Sequence, residues 1–133
     1  MRDLEQVAMT ALWRDNKLVL QRRVTVLAGR LGFFGGKIDI ESGETQPEAA
    51  IRELREELGL ELELEDIGNE VAVVKTDQYE GHVFEYRLPQ DIVLIALEGH
   101  LVERTLEELL EAGNKHGLAD LTRLAVLEFT RRQ

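Results

Sequence analysis

Residues 36–60, GKIDIESGETQPEAAIRELREELGL, are the stretch that decides the fold. Its segment TQPE (45–48) has the pattern of a capping box with a proline in the first turn, which predicts that a helix begins at Thr45. Gly59 predicts the end of that helix after Leu58, because glycine takes up the left-handed conformation that closes a helix at little cost. The stretch therefore predicts a helix that lies between two glycine-containing turns.

The predicted helix has an acidic face. At 100° per residue, Glu53, Glu56 and Glu57 share an arc of about 100°, while leucine residues lie on the side that would face a core. Like charges at i,i+4 repel by a few tenths of a kcal/mol. Two interpretations follow: a solvated surface on which Arg52 pairs with Glu56, or a binding site for a divalent cation.

The approach to the helix favours the cation. Residues 35–44, GGKIDIESGE, form a glycine-rich turn whose backbone can come close to a ligand, and the turn ends in Glu44. Carboxylates beside an accessible backbone carbonyl are the oxygen ligands that Mg²⁺ prefers, and Mg²⁺ shares its coordination with substrate phosphates. The pattern predicts a metal site that recruits a polyphosphate.

From Glu44 onward, the stretch matches every fixed position of the pattern G-x5-E-x7-REUxEExGU, in which U is a bulky aliphatic residue. The chain thus resembles the Nudix hydrolases, which carry this signature. Two departures precede the helix. Seven residues separate Gly36 from Glu44, where the pattern has five, and Phe34 stands where many relatives have a proline. We expect the extra pair to lengthen the turn and to leave the helix intact.

The resemblance implies an α/β fold, an α/β/α sandwich with a mixed β-sheet in which the signature forms a loop–helix–loop. The length suits a single domain over residues 1–133. Alternation of apolar and polar residues predicts strands, and amphipathic patterns predict two further helices. The predicted strands cover residues 6–13, 17–22, 61–67, 70–76, 82–88 and 91–98, and the predicted helices cover residues 106–112 and about 118–131.

The resemblance also implies an activity. Nudix hydrolases cleave a pyrophosphate bond in a nucleoside diphosphate linked to another group, by attack of metal-activated water on phosphorus. We expect a nucleoside or deoxynucleoside triphosphate or a related nucleotide as substrate, and Mg²⁺ as cofactor with Mn²⁺ as a substitute. By position in the signature, the metal ligands would be Glu53, Glu56, Glu57 and the carbonyl of Gly36. The alternative is a Nudix-fold nucleotide-binding or regulatory module that lacks catalysis because the insertion misplaces the metal.

Other roles carry over by position or by chemistry. Arg52 is expected to orient the neighbouring carboxylates, with Glu44 as its partner. The general base is left open among Glu53, Glu56 and Glu98. Glu98 follows an apolar stretch and precedes a glycine, so it is placed to aim a carboxylate into a cleft, or else it is an exposed residue that ends a strand.

Basic residues near the predicted cleft are candidates for contacting the substrate. Arg22, Arg23 and Lys37 flank it in an otherwise acidic chain, and the alternative for the arginine pair is a solvated strand end. Three aromatic residues, Tyr79, Phe84 and Tyr86, are further candidates for stacking on a base, with packing in the core as the more common role of an aromatic residue in a strand.

Composition limits the partners. Lys and Arg number 16 against 26 Asp and Glu, so the net charge of −10 disfavours a nucleic acid polymer or an anionic membrane as a partner. The absence of cysteine excludes disulfides, thiolate zinc sites and a cysteine nucleophile. Because no signal peptide or membrane-length apolar run is present, we expect a soluble cytoplasmic protein that acts on a small nucleotide. Nudix relatives include homodimers, and the sequence leaves the oligomeric state open.

Overall fold

The computed structural model describes residues 3–24, 29–114 and 117–132. In these ranges the strands are β1 (Glu5–Arg14), β2 (Lys17–Arg22), β3 (Leu31–Gly32), β4 (Phe34–Lys37), β5 (Ala72–Lys75), β6 (Tyr79–Arg87) and β7 (His100–Arg104). The α-helices are α1 (Gln46–Leu58), α2 (Leu64–Ile67), α3 (Leu106–Asn114) and α4 (Asp120–Arg131). Among them, no helix combines the length and the apolar character needed to cross a lipid bilayer.

The sheet is mixed and is centred on β1. Strand β1 runs parallel to β6 and antiparallel to β2 and β4. Strand β6 also pairs with β5, while β2 pairs with β3 and β7. The short strand β4 therefore lies directly beside the centre of the sheet, next to the predicted helix in sequence.

Alternation along β1 builds a core on each face of the sheet. Val7, Met9 and Ala11 face the core that includes α3 and α4, and Ala8 and Leu12 face the core that includes α1. Helices thus cover both faces, because successive side chains of a strand point to opposite sides. The predicted α/β/α sandwich with a mixed sheet is confirmed.

Helix α1 begins and ends where the sequence predicts. The backbone N–H of Glu48 donates to Thr45 Oγ1 at 3.3 Å, and the backbone N–H of Thr45 donates to Glu48 Oε1 at 2.9 Å, which completes the capping box. Gly59 has φ 66° and donates its N–H to the carbonyl of Arg55. Both boundaries are set locally, by caps that the sequence shows.

The region that contains the two extra residues of the signature includes a separate turn. Residues Ile40–Ser42 make one turn of 3-10 helix, which ends at Gly43 with φ 81°. Across the base of this turn, the N–H of Glu44 donates to the carbonyl of Asp39 at 3.1 Å, and the N–H of Asp39 donates to Glu44 Oε1 at 2.9 Å. Helix α1 follows this turn intact, as expected.

Two predicted strands are wrong. Residues 61–67 include α2, because the Glu63 N–H donates to the Asp66 carboxylate and starts a helical turn. Residues 91–98 belong to no strand, although their side chains alternate in burial, because no neighbouring strand pairs with them. The strand in that region is β7, which pairs with β2 and was not predicted. The remaining predicted strands and helices occur, with ends shifted by a few residues.

Candidate active site

Arg52 is the centre of the polar network on α1. Its Nε donates to Glu44 Oε2 at 2.7 Å, and its Nη2 donates to Glu44 Oε1 at 3.1 Å. This bidentate pair joins α1 to the turn in front of it. The hydrogen bond from Arg52 lowers the pKa of Glu44, and the same bond is the main reason that the pKa of Arg52 lies above its usual range.

The same guanidinium also contacts two further carboxylates and β4. Its Nη1 donates to Glu53 Oε1 at 2.9 Å and to Glu56 Oε2 at 3.2 Å. Its Nη2 donates to the backbone carbonyl of Lys37 at 3.0 Å. One side chain therefore holds three acidic residues and a strand together, as expected of a residue that orients the site.

The carboxylate of Glu53 lies against Gly36. A Cβ atom added to Gly36 would come within 2.5 Å of Glu53 Oε1, so only glycine leaves room for the carboxylate in this position. Burial raises the pKa of Glu53, Arg52 opposes that effect, and the charge of Glu56 adds to it. Glu53 is thus held between an arginine and a backbone that has no side chain.

Glu57 is the most deeply buried acid of the site, at 5% exposure. Its Oε1 accepts a hydrogen bond from the Gly35 N–H at 2.9 Å. Burial raises the pKa of Glu57 to about 8, and the negative charges of Glu53 and Glu98 contribute to the increase. Without a cation nearby, the protonated form of Glu57 is therefore favoured more than in an exposed glutamate.

The register of β4 decides which backbone groups face α1. The Ile38 N–H donates to the carbonyl of Gln6, and hydrogen-bonded pairs alternate along an antiparallel ladder, so Gly36 and Ala8 also form such a pair. The Gly36 carbonyl is therefore directed toward β1, while the backbone groups of Gly35 and Lys37 face α1. Sequence reasoning missed these two contacts, because they depend on strand register, which the sequence does not show.

The acidic cluster has the donor atoms for a divalent cation but is not arranged around one. Across residues 3–24, 29–114 and 117–132, no three acidic or imidazole side chains are gathered closely enough to hold a metal ion in the observed arrangement. Arg52 donates hydrogen bonds to the carboxylates of Glu53 and Glu56, and the Glu57 carboxylate accepts one from the Gly35 N–H. The donor set nevertheless fits a hard cation, because its donors are oxygen atoms and a positive charge would offset the cost of ionising two crowded acids.

A cavity of about 290 Å³ opens beside the acidic cluster. The backbone of residues 35–37 forms one wall, Met9 and Phe33 give it an apolar side, and Arg23 and Asp120 contribute polar groups. The buried Nε of Arg23 has no hydrogen-bond partner among the described residues. The cavity therefore lies next to the glycine-rich turn.

The basic candidates differ in their relation to this cavity. Arg23 and Lys37 line it, and the Lys37 ammonium also pairs with Glu5 at 3.1 Å on the exposed side. Arg22 is not part of the lining, and its Nη1 donates to the carbonyl of Gly29 at 3.1 Å. The structure therefore brings two of the three basic residues to the cavity.

Glu98 lies near the end of α1. The preceding residue, Leu97, donates its N–H to the carbonyl of Glu57 at 2.9 Å, and the carbonyl of Glu98 accepts from Gln21 Nε2 at 3.1 Å. The Glu98 side chain is exposed, yet its charge contributes to the raised pKa of Glu57. It is both a solvent-exposed residue and a neighbour of the acidic cluster.

The chain is similar to known proteins over nearly its whole length. A family model described as NUDIX domain matches residues 4–131. No curated protein matches the sequence. Among solved structures, the E. coli ORF135 protein is 30% identical, with a TM-score of 0.71, over 96% of this chain and 89% of that one.

Two further structures are similar. DR0079 from Deinococcus radiodurans is 26% identical, with a TM-score of 0.73, over 93% of this chain and 82% of that one. A MutT NUDIX hydrolase from Burkholderia pseudomallei is 24% identical, with a TM-score of 0.75, over 94% of this chain and 97% of that one. At that identity, the last similarity bears on the fold alone.

Proposed function

The chain is a member of the Nudix family, and from this premise we propose its substrate, its metal ion and the residues that act on them. The chain is a nucleotide pyrophosphohydrolase, and enzymes of this family generally use divalent metal ions. The proposed substrate is a nucleoside or deoxynucleoside triphosphate or a related nucleoside diphosphate derivative. The proposed ion is Mg²⁺, with Mn²⁺ as a substitute, and residues 1–133 are proposed to act as one domain.

One observation carries the proposal: the cavity and the acidic cluster share a wall. Residues 35–37 line the cavity, and the same three residues contact Glu57, Glu53 and Arg52. A nucleotide whose base lies against the apolar side would extend its phosphates toward Lys37 and the acids. The volume lies near the lower limit of small-molecule sites, which suits one nucleoside unit rather than a polymer.

The proposed metal ligands are Glu53, Glu56 and Glu57. The carbonyl of Gly36 is not among them, because it is directed toward β1. Bound there, the ion would lower the pKa of a coordinated water and neutralise charge on the phosphates. The bidentate bond from Arg52 to Glu44 would keep the guanidinium in place while Glu53 and Glu56 turn to the ion. Glu44 and Arg52 thus act on the reaction through the carboxylates they hold.

The remaining roles concern the proton and the substrate. Glu98 is proposed as the general base, since it is exposed to water and close enough to Glu57 to affect its pKa; Glu53 and Glu56 are the alternatives. Arg23 and Lys37 are proposed to contact the nucleotide, because both line the cavity. Arg22 would support the same region by holding Gly29.

A panel of nucleotides incubated with Mg²⁺ tests the proposal by release of phosphate, pyrophosphate or nucleoside monophosphate. We expect activity toward at least one nucleotide, and we expect Glu56→Gln to reduce kcat on the order of 100-fold or more by removing a metal ligand. Glu61→Gln is the matched control, because Glu61 is exposed and lies beyond the end of α1. Inactivity of the wild type across the panel, or a wild-type rate in Glu56→Gln, would contradict the proposal.

A further inference from the structure

Gln21 is a buried polar residue among the apolar side chains of β2. It is 7% exposed, in a strand whose preceding three residues are aliphatic and buried. Side chains two positions apart point to the same face of a strand, so Gln21 shares the face of Val19, which belongs to the core on the α1 side. A buried amide costs free energy unless it forms hydrogen bonds, so the partner that Gln21 selects is informative.

The partner of Gln21 is the backbone of Glu98. The Nε2 atom of Gln21 donates to the carbonyl of Glu98 at 3.1 Å, which joins two parts of the chain that are 77 positions apart. The Glu98 side chain itself is exposed, so the direction of its carboxylate depends on how its backbone is held. Gln21 holds that backbone from the sheet.

The residues on either side of Glu98 are also attached. The Leu97 N–H donates to the carbonyl of Glu57 at 2.9 Å, at the end of α1. Gly99 has φ 66°, and a Cβ atom there would lie 2.7 Å from the carbonyl oxygen of Arg22, so glycine allows this close contact with β2. Glu98 therefore lies on a backbone that is bound to α1 on one side and to β2 on the other.

On the basis of the proposed function, in which Glu98 is the general base, we propose that Gln21 is a positioning residue for hydrolysis. Together with the close contact of Gly99, it keeps the Glu98 carboxylate beside the acidic residues of α1. There the carboxylate accepts a proton from the water whose oxygen bonds to phosphorus, while the bond from phosphorus to the leaving oxygen breaks. Displacement of such a group lowers kcat. Gln21 does not line the cavity, so substrate binding should be little affected.

A double-mutant cycle separates this role from that of a hydrogen bond that only stabilises the fold. Gln21→Met keeps the length of the side chain and removes the donor, and we expect it to lower kcat about 10-fold with little change in KM. Glu98→Gln should lower kcat on the order of 100-fold. Added to Glu98→Gln, Gln21→Met should change kcat less than about 2-fold, because the carboxylate through which Gln21 acts is already absent. The rates are measured with the most rapidly hydrolysed nucleotide of the panel.

Gln6→Met is the matched control, because it removes the hydrogen bonds of a glutamine elsewhere in the sheet. The Gln6 side chain bonds to the carbonyl of Leu4 at 3.2 Å and to the ring of His82 at 2.7 Å. This variant should keep the wild-type kcat.

Three results in an active wild type would overturn the inference alone. They are a wild-type kcat in Gln21→Met, an equal loss from Gln21→Met with and without Glu98→Gln, and a wild-type kcat in Glu98→Gln. A wild type that hydrolyses no nucleotide of the panel would contradict the proposed function and the inference with it.

Amide hydrogen exchange tests the attachment of the Glu98 backbone without using activity. In Gln21→Met, the Leu97 N–H should exchange about 10-fold faster than in the wild type, because the segment has lost its attachment to β2. Gly99→Ala perturbs the same backbone from outside the buried core, so it should affect exchange and kcat in the same direction even if Gln21→Met folds poorly. Unchanged exchange of Leu97 in both variants would overturn the inference.

Discussion

Arg52 and Glu57 lie on the same helix, α1, but the surroundings of their side chains differ. Arg52 shares its charge among three carboxylates, while Glu57 is buried and accepts one backbone N–H. The signature predicts both as site residues, because their spacing along α1 is fixed by the sequence. Their environments could not be predicted, since the burial of Glu57 depends on how closely β4 and the segment before β7 pack on the helix.

The raised pKa of Glu57 predicts how stability depends on pH without metal. In the unfolded chain this carboxyl loses its proton near pH 4.5, whereas in the folded chain it keeps the proton up to about pH 8. The folded state binds more protons between these values, so the free energy of unfolding falls as pH rises through that window. Urea unfolding in EDTA should show a decrease on the order of a few kcal/mol between pH 5 and pH 9.

Glu57→Gln isolates this effect, because glutamine fills the same space without titrating. We expect the variant to lose less stability than the wild type over the same pH range and to be the more stable protein above pH 8. Glu61→Gln should follow the wild type, since Glu61 is exposed. Parallel pH profiles for the wild type and Glu57→Gln would contradict a raised pKa of Glu57.

Among the elements, β4 carries two adjacent glycines with different functions. A Cβ on Gly35 would lie 2.2 Å from the carbonyl oxygen of Ala8, which belongs to the backbone of β1. A Cβ on Gly36 would instead meet the end of the Glu53 side chain. Backbone in a sheet cannot yield locally, whereas a side chain can move.

Alanine at the two positions should therefore have separate effects. Gly35→Ala is expected to destabilise the fold by about 1–3 kcal/mol or more, because β4 must separate from β1. Gly36→Ala should cost less than about 1 kcal/mol but reduce kcat on the order of 100-fold, because it displaces the Glu53 carboxylate. Urea unfolding and nucleotide hydrolysis measure the two effects. A stable Gly36→Ala with the wild-type rate would remove Glu53 from the proposed metal site.

The elements also show where prediction from sequence succeeds. Helix α1 was predictable because its caps, Thr45 and Gly59, are local. The strand predicted over residues 61–67 failed because the Glu63–Asp66 capping pair outweighs alternation over so short a segment. Residues 91–98 have the pattern of a strand and the burial of a strand, but pairing requires a neighbour that the sequence cannot specify.

At the scale of the whole molecule, the sandwich and the family were predictable because one local signature is specific to both. The cavity was not, because its lining comes from parts of the chain that only the fold brings together, such as residues 76–79 and 119–122. The sequence does not show which distant parts of the chain become neighbours in the folded protein.

Calorimetric titration with Mg²⁺ and Mn²⁺ tests most directly whether the acidic face of α1 holds a divalent ion. At pH 7, in buffers of different ionisation enthalpy, we expect metal uptake to be accompanied by proton release to the buffer. The reason is that the Glu57 carboxyl must lose its proton before it can bind a cation. Glu57→Gln should bind more weakly and release fewer protons. Absence of metal uptake by the wild type, both with and without nucleotide, would contradict the account.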